Sequence, residues 1–265
     1  MAAELQQSTV LVTGATGGIG QAIVRALHAR GAHVIASGRN RKALEDLARE
    51  LDGVEPLVAD LADPAQVAGL VFGRRIDVLV ANAALPASGR LESFTEEEID
   101  RALDVNLRAP MQLARTLLPG MRHRGSGHLV FISSLSGKMA SAGACVYNAT
   151  KFGLRGFGFA LNEELRGTGV GATTVFPGFI REAGMFADSG VRLPRGVGTR
   201  TPADVARAVV RGIEKGPAEV DVAPRPLAYG ARMFGFAPGL VTTVNRRLGS
   251  EPLADAIAKG QRDKR

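Results

Sequence analysis

The sequence predicts an α/β fold, a doubly wound, seven-stranded, mostly parallel sheet with helices on both faces. Two observations predict it. Strand-like and helix-like hydrophobic periods alternate along all 265 residues, and the strand-like runs are apolar almost throughout, as in strands buried on both faces. The first strand is expected at Thr9 to Val12, followed by a helix from Gly18 to Arg30 with Ile19, Ile23 and Leu27 on one face. Further strands are expected at His33 to Ser37, Val54 to Ala59, Ile76 to Ala81, His128 to Ser133, Gly171 to Phe176 and Glu219 to Ala223. Between them, Asp63-Pro64 and Thr201-Pro202 each place a cap before a first-turn proline, and Thr95 with Glu98 forms a capping box.

No repeat or linker interrupts this rhythm, so residues 1–265 read as a single domain. Two stretches depart from it. Arg181 to Arg200, rich in Gly and Arg, reads as a mobile loop within a segment of about 179–200, either a lid over a ligand or plain surface. Pro224 to Gly249 is apolar but broken by Pro226, Pro238 and several glycines, and it opens a C-terminal extension over about 224–265.

Composition excludes several classes of function. With 45% hydrophobic and 22% charged residues the chain is neither disordered nor fibrous, and at this length it buries about three quarters of its extended surface in one core. The single Cys145 forms no internal disulfide, and four scattered His offer no zinc set, so no metal is expected and a reducing, cytoplasmic location is. The start MAAELQQSTV has no basic and apolar signal regions, and no run of about 18 apolar residues exists to span a membrane. The net charge of +7 falls as +1 on residues 1–180 and +6 on 181–265. Arginine makes up most of the cations and there is no Trp and only two Tyr, so a nucleic-acid surface of basic and stacking residues is not expected.

Directly after the first strand stands Thr13-Gly14-Ala15-Thr16-Gly17-Gly18-Ile19-Gly20, running into the amphipathic helix. Glycines allow a tight turn and close backbone approach, and the N–H groups at the start of the helix attract a pyrophosphate. Gly14, Gly18 and Gly20 make G-x-x-x-G-x-G, which resembles the short-chain dehydrogenase/reductase family and implies a Rossmann-like fold. After the second strand a dinucleotide protein needs a carboxylate for the 2′-hydroxyl of NAD or a cation for the 2′-phosphate of NADP. Here the chain reads Ser37-Gly38-Arg39-Asn40. Arg39, assisted by Asn40, suits a phosphate and favours NADP(H) over NAD(H), unless Arg39 is simply a solvated helix-start cation. In similar proteins an Asp after the third strand contacts the adenine, and Asp60 with Leu61 holds that place; helix capping would equally explain an Asp there.

Tyr147 and Lys151 lie four apart on a helix and so share a face. Ser134 lies 13 residues before Tyr147 at a strand end, and Asn106 lies on an earlier helix. Together the four match the Ser, Tyr, Lys and Asn constellation of that family, in its branch of about 250 residues, and the resemblance covers nearly the whole chain. The chemistry it implies asks for these residue types. A carbonyl reduced by hydride becomes an alkoxide that must be protonated, and the reverse reaction needs a base. Tyr147 is expected to move that proton, its phenolate favoured by the Lys151 ammonium and the oxidised nicotinamide. Lys151 also suits the nicotinamide ribose. Ser134 is expected to bind the substrate oxygen, and Ser133 and Ser136 are its rivals, lacking its family spacing to both Tyr147 and Gly137. In similar enzymes Asn106 holds a helix irregularity and a water that relays protons to the Lys; a lone buried Asn would otherwise satisfy a helix carbonyl. Cys145 is assigned no role and is expected to be a packed thiol, the alternative being a place facing the substrate.

Two family segments appear with departures. Ala81-Asn82-Ala83-Ala84 stands where Asn-Asn-Ala-Gly is usual, so Asn82 and Ala83 are expected beside the adenosine ribose on a slightly different backbone. Pro177-Gly178-Phe179-Ile180 resembles the turn beside the nicotinamide carboxamide, with Pro177, Gly178 and the Ile180 backbone as contacts, and Glu182 replaces a usual Thr. The resemblance thus implies an NADP(H)-dependent oxidoreductase interconverting a carbonyl and a secondary alcohol. A non-catalytic NADP-binding regulator or sensor on the same fold is the alternative. Leu85, Met139, Phe179, Met185 and Phe186 suggest an apolar substrate pocket, or else pack the underside of the loop. The family implies a homodimer or homotetramer. Leu227 to Val244 is expected to pack on the parent domain, with a membrane or subunit contact as the other reading.

Overall fold

The structure is a computed structural model that describes residues 4–191, 193, 197–247 and 250–261. The seven expected strands are β1 (Thr9–Thr13), β2 (His33–Gly38), β3 (Val54–Val58), β4 (Val78–Ala81), β5 (Gly127–Ile132), β6 (Val170–Pro177) and β7 (Glu219–Val222). They form one sheet in the order β3-β2-β1-β4-β5-β6-β7, and every neighbouring pair is parallel. Strand β4 starts two residues later than the apolar run does. Asp77 there turns its carboxylate onto the Thr9 N–H at 3.1 Å, so the regular ladder begins only at Val78.

Alternate residues of each central strand enter two different cores, as the pleat requires. Val10, Val12, Val34, Ala36, Val78, Val80, Val130 and Ile132 pack beneath α1 (Gly18–His28), α2 (Arg41–Glu50) and α8 (Pro202–Lys215). Leu11, Ile35, Leu79, Leu129 and Phe131 face the other way, against α3 (Pro64–Gly69), α5 (Ala109–Arg124) and α6 (Cys145–Glu164). Each such aliphatic or aromatic side chain contributes about 1.5–3 kcal/mol by leaving water, and both faces need that cover, which fixes the doubly wound arrangement. The marked helix starts are as expected: Asp63 caps α3 through the Ala65 and Gln66 N–H groups. Thr95 and Thr201 form capping boxes on α4 (Glu96–Leu103) and α8.

The two irregular stretches hold more structure than expected. The loop after β6 contains the short helix α7 (Met185–Asp188), and its ends are joined where Arg181 N–H donates to Arg200 O and Arg200 N–H to Phe179 O, both 2.9 Å. The part of that loop at 192 and 194–196 lies outside the described residues. The C-terminal extension is three helices, α9 (Arg225–Met233), α10 (Pro238–Arg247) and α11 (Ser250–Gln261). Pro226 and Pro238 stand in first turns, where proline loses no hydrogen bond, so they start helices rather than break the segment. Leu227 and Ala231 pack on Leu135 and Phe176 as expected, whereas Tyr229, Phe236 and Leu240 are exposed. From the far end, Gln261 donates to Met185 O at 2.9 Å, tying α11 to α7.

Candidate active site

The strand order reverses between β1 and β4, and the carboxyl ends of β1, β2, β4, β5 and β6 surround that point, where open α/β sheets take ligands. At the end of β1, Gly14 has φ 64° and a Cβ on it would stand 2.7 Å from Ala83 Cα. Gly20 has no room for a Cβ against the Gly14 carbonyl. Helix α1 opens at Gly17 with no side-chain cap, which leaves first-turn N–H groups for an anion. Thr13 Oγ1 accepts from the N–H groups of Asn82 and Ala83, both at 3.1 Å, and Asn82 Nδ2 donates to the carbonyls of Thr13 and Gly14. The Asn82 carboxamide therefore shapes the glycine turn itself. Ala183 lies directly against Gly18, and Gly184 beside Ile19, so the loop after β6 begins over this turn.

Past β2, Thr16 stands beside Gly38, and Arg39 is exposed. Asn40 commits its side-chain oxygen to capping α2, accepting from Ala43 N–H at 3.0 Å. Asp60 accepts from Ala62 N–H and pairs with Arg101 at 2.8 Å. It caps no helix, a task that falls to Asp63. Burial opposes ionisation of Asp60, but the Ala62 amide, Arg101 and Arg39 hold its carboxyl below the usual range. Leu61 is buried in the core beneath α3.

The turn after β5 decides among the serines. Ser133 Oγ donates to Lys151 O at 3.0 Å, so it is occupied by α6. Ser134 Oγ accepts from Ser136 N–H at 3.1 Å, donates to Pro177 O at 3.4 Å and favours ionisation of the Tyr147 phenol. Lys151, 1% exposed, donates from Nζ to Ile132 O at 3.0 Å and lies 5.6 Å from the centre of the Tyr147 ring. Asn106 is fully buried in a π-helical turn, Asp104–Arg108, between α4 and α5. Its Oδ1 accepts from Leu85 N–H at 2.7 Å and its Nδ2 donates to Leu85 O at 3.0 Å, with Thr150 Oγ1 at 3.4 Å. The widened turn accommodates this carboxamide next to α6, one residue before Lys151.

Burial dominates the electrostatics of the site without cofactor. Burial pushes the Tyr147 phenol up to about 12, with only the Ser134 hydrogen bond working against it, and burial lowers the Lys151 amine to about 8. Without cofactor, desolvation outweighs any pull of Lys151 on the phenol, because the ammonium is itself desolvated and faces the Ile132 carbonyl. Tyr147 thus rests as a protonated acid.

Three further expectations are corrected or refined. Cys145 is exposed at the start of α6 rather than packed. Glu182, at φ 75°, is exposed and paired with Arg181 at 3.0 Å, so its carboxylate is turned to a neighbouring cation. Ile180 is buried, and the pairing of the loop ends uses Phe179 O and Arg181 N–H, not the N–H or C=O of Ile180. Sequence reasoning missed Thr13 and Asn148. Asn148, 6% exposed, donates to Ser136 O at 2.6 Å and Met139 O at 3.1 Å, fastening the Ser134 turn to α6. Its place between Tyr147 and Lys151 was the available signal.

Comparison with known proteins places this geometry. The family model for short chain dehydrogenase matches residues 8–191. A ketoacyl reductase, HetN, from Nostoc sp. is 36% identical over 253 residues, covering 91% of this chain and 88% of the relative. The chain belongs to the short-chain dehydrogenase/reductase family. A short-chain dehydrogenase from Sphingobium yanoikuyae in complex with NADPH matches with a TM-score of 0.77 and 29% identity, over 88% of this chain and 94% of that one. A closed form of serine dehydrogenase complexed with NADP+ matches with a TM-score of 0.73 and 31% identity, over 82% and 94%. As a short-chain dehydrogenase/reductase the protein is an oxidoreductase that acts on CH–OH groups with NAD(P). Among the described residues no helix is long and apolar enough to cross a membrane, and no three His, Cys, Asp or Glu gather for a metal.

Proposed function

We propose that the protein is an NADP(H)-dependent oxidoreductase that interconverts a carbonyl and a secondary alcohol on an apolar substrate, with Tyr147 as the general acid/base. One observation carries this reading: the Tyr147 phenol, whose ionisation Ser134 favours, stands one helical turn from the buried amine of Lys151, which is held at the carboxyl end of β5. The cradle fits the cofactor. Gly14, Thr16, Gly18, Ile19 and Gly20 would hold the pyrophosphate at the uncapped start of α1. Arg39, with Asn40 beside it, would meet the 2′-phosphate, and no carboxylate stands there to favour NAD. Asp60 and Leu61 would flank the adenine, Asn82 and Ala83 the adenosine ribose, and Pro177, Gly178 and Ile180 the carboxamide. When bound, the nicotinamide supplies or takes the hydride.

The protein's own residues handle the proton and the charge. Ser134 Oγ donates to the substrate oxygen and stabilises its developing negative charge, a role worth a few kcal/mol when preorganised. Tyr147, held protonated, gives its proton to that oxygen in reduction and takes it back in oxidation. Lys151 binds the nicotinamide ribose, and its charge at neutral pH lowers the cost of forming phenolate once the cofactor adds its own. Asn106 fixes the stretch at Leu85 against the helix that carries Tyr147 and Lys151.

Leu85 follows β4, Leu135, Met139 and Leu227 pack together at the turn after β5, and the Phe179 and Phe186 rings of the loop after β6 lie 4.9 Å apart, which supports an apolar substrate. The groove between α5 and α6, lined by half-buried Met111, Leu118 and Phe157 with Arg115, Arg122 and Glu164, is the face we assign to a second copy of the chain. A homodimer or homotetramer in the cytoplasm is the proposed form.

A regulator that merely reports nucleotide state has no need of a buried amine beside a buried phenol. Purified protein given NADPH and a panel of carbonyls (a medium-chain β-keto ester, a β-ketoacyl thioester, an aromatic aldehyde and a steroid ketone) is expected to consume NADPH with at least one. Tight NADPH binding with no consumption across the panel would favour the regulator.

A further inference from the structure

Behind Ser134 lies a buried charge cluster that proton transfer does not use. Lys138 is 1% exposed, and its ammonium sits 2.9 Å from Glu219 Oε2 and 2.6 Å from Asp221 Oδ1, over the ring of Phe176 at 4.0 Å. Glu219 and Asp221 are alternate residues of β7 and so present their carboxylates on one face. Arg155 of α6 pairs with Glu219 at 3.4 Å and Arg232 of α9 with Asp221 at 2.8 Å. Only Lys138 is fully buried among these charges, and a buried ammonium is a poor source of stability, because its desolvation offsets the attraction of its partners. Its significance therefore lies in what it fixes.

Lys138 closes the tight turn that starts at Ser134. Gly137 N–H donates to Ser134 O at 2.8 Å and Lys138 N–H to Leu135 O at 2.9 Å. On one side the turn presses on α6: a Cβ at Gly137 would stand 2.6 Å from Lys151 O, and Asn148 grips the carbonyls of Ser136 and Met139. On the other side the only charged group leaving the turn is Lys138, anchored to β7. The same Asp221 holds Arg232 of α9, the helix whose Leu227 and Ala231 pack on Leu135.

We propose that Lys138 is a positioning residue: its ion pairs with Glu219 and Asp221 fix the turn from the β7 side so that the Ser134 hydroxyl meets Tyr147 and the substrate oxygen. Through Arg232 the same anchor sets the α9 wall of the site in register with Ser134. The inference rests on the reading of Ser134 given above.

A double-mutant cycle tests it, with kcat, KM, NADPH affinity and thermal midpoint measured for Lys138→Met, Ser134→Ala and the pair, using the fastest carbonyl of the panel. Lys138→Met is expected to lower kcat at least tenfold while NADPH affinity changes less than twofold. On the Ser134→Ala background the same substitution is expected to change kcat less than twofold, since the group it positions is gone. Equal losses in both backgrounds, or no loss in either, would overturn the proposal while leaving the reading of Ser134 intact. Ser134→Ala with full kcat would remove that reading and this one with it. Should Lys138→Met not fold, Asp221→Asn, which leaves Lys138 paired to Glu219, carries the same cycle, with a smaller loss expected and additivity again contradicting the proposal.

Discussion

The amine of Lys151 donates to the backbone carbonyl of Ile132 at 3.0 Å, one turn along α6 from Tyr147. The last residue of β5 thus fixes the amine that lies beside the Tyr147 ring. Burial lowers this amine from the ordinary 10.5 to about 8. The unfolded chain therefore binds more protons than the folded one between those values, and the Lys151 contribution to stability rises with pH across that window. Below about 8 the full desolvation cost is present. Urea unfolding at about pH 7 and about pH 9.5 is expected to show a rise in stability that Lys151→Met flattens, while the same substitution lowers turnover by about a hundredfold or more.

Tyr147 titrates in the opposite sense. Its phenol, raised by burial to about 12, holds its proton where the unfolded phenol loses it, so its share of stability is present below 10 and is lost as pH rises through about 12. The chain has only two tyrosines, which allows a difference measurement. Between about pH 10 and 11, tyrosinate absorbance of the cofactor-free protein is expected to equal that of Tyr147→Phe, and added NADP+ is expected to open a gap. A Tyr147-dependent ionisation below 10 without cofactor would count against desolvation as the controlling effect.

Arg39 is exposed and follows β2 with no acidic neighbour at the strand end. A charge-assisted contact to a phosphate is worth roughly 1.5–3 kcal/mol. Arg39→Ala is expected to weaken NADPH binding by about ten- to a hundredfold and to leave NADH binding within a few-fold, as read by fluorescence titration. Equal weakening of both would assign Arg39 to something other than the 2′-phosphate.

Asn106 joins the π-helical turn to Leu85 through two hydrogen bonds. Asn106→Ala leaves the buried Leu85 N–H and C=O without those partners, and a loss of about 1–3 kcal/mol in unfolding free energy is expected. Turnover is expected to fall at least tenfold with it. Full stability and full activity would show that the carboxamide has no part in holding the site.

Much of this was legible in the sequence, because the strongest signals were physical necessities. Apolar runs such as Leu129 to Ile132 must be buried on both faces, and Asp63-Pro64 and Thr95 with Glu98 leave little choice of helix start. The glycine turn was legible for the same reason, since Gly14 sits where a side chain would strike Ala83. The grouping of Ser134, Tyr147, Lys151 and Asn106 came from resemblance, and the structure brings Ser134 to Tyr147 and Asn106 to α6. What stayed hidden depends on contacts between residues far apart in the chain. Lys138 finds its carboxylates on β7, Asn82 gives its carboxamide to the Gly14 turn, and Asp60 finds Arg101. The burial of the phenol stayed hidden too, because a period or spacing records neighbours but not desolvation. Prolines 226 and 238 misled in a similar way, since a residue that breaks a helix interior also starts one.

The central claim is that Tyr147 moves the proton and does not hold the cofactor in place. Rate and NADPH affinity of Tyr147→Phe, measured side by side with the wild-type protein on one reduced carbonyl, test it most directly. The expected result is a fall in kcat of about a hundred- to ten-thousandfold with NADPH affinity nearly unchanged. Turnover by the phenylalanine variant at the wild-type rate would contradict it.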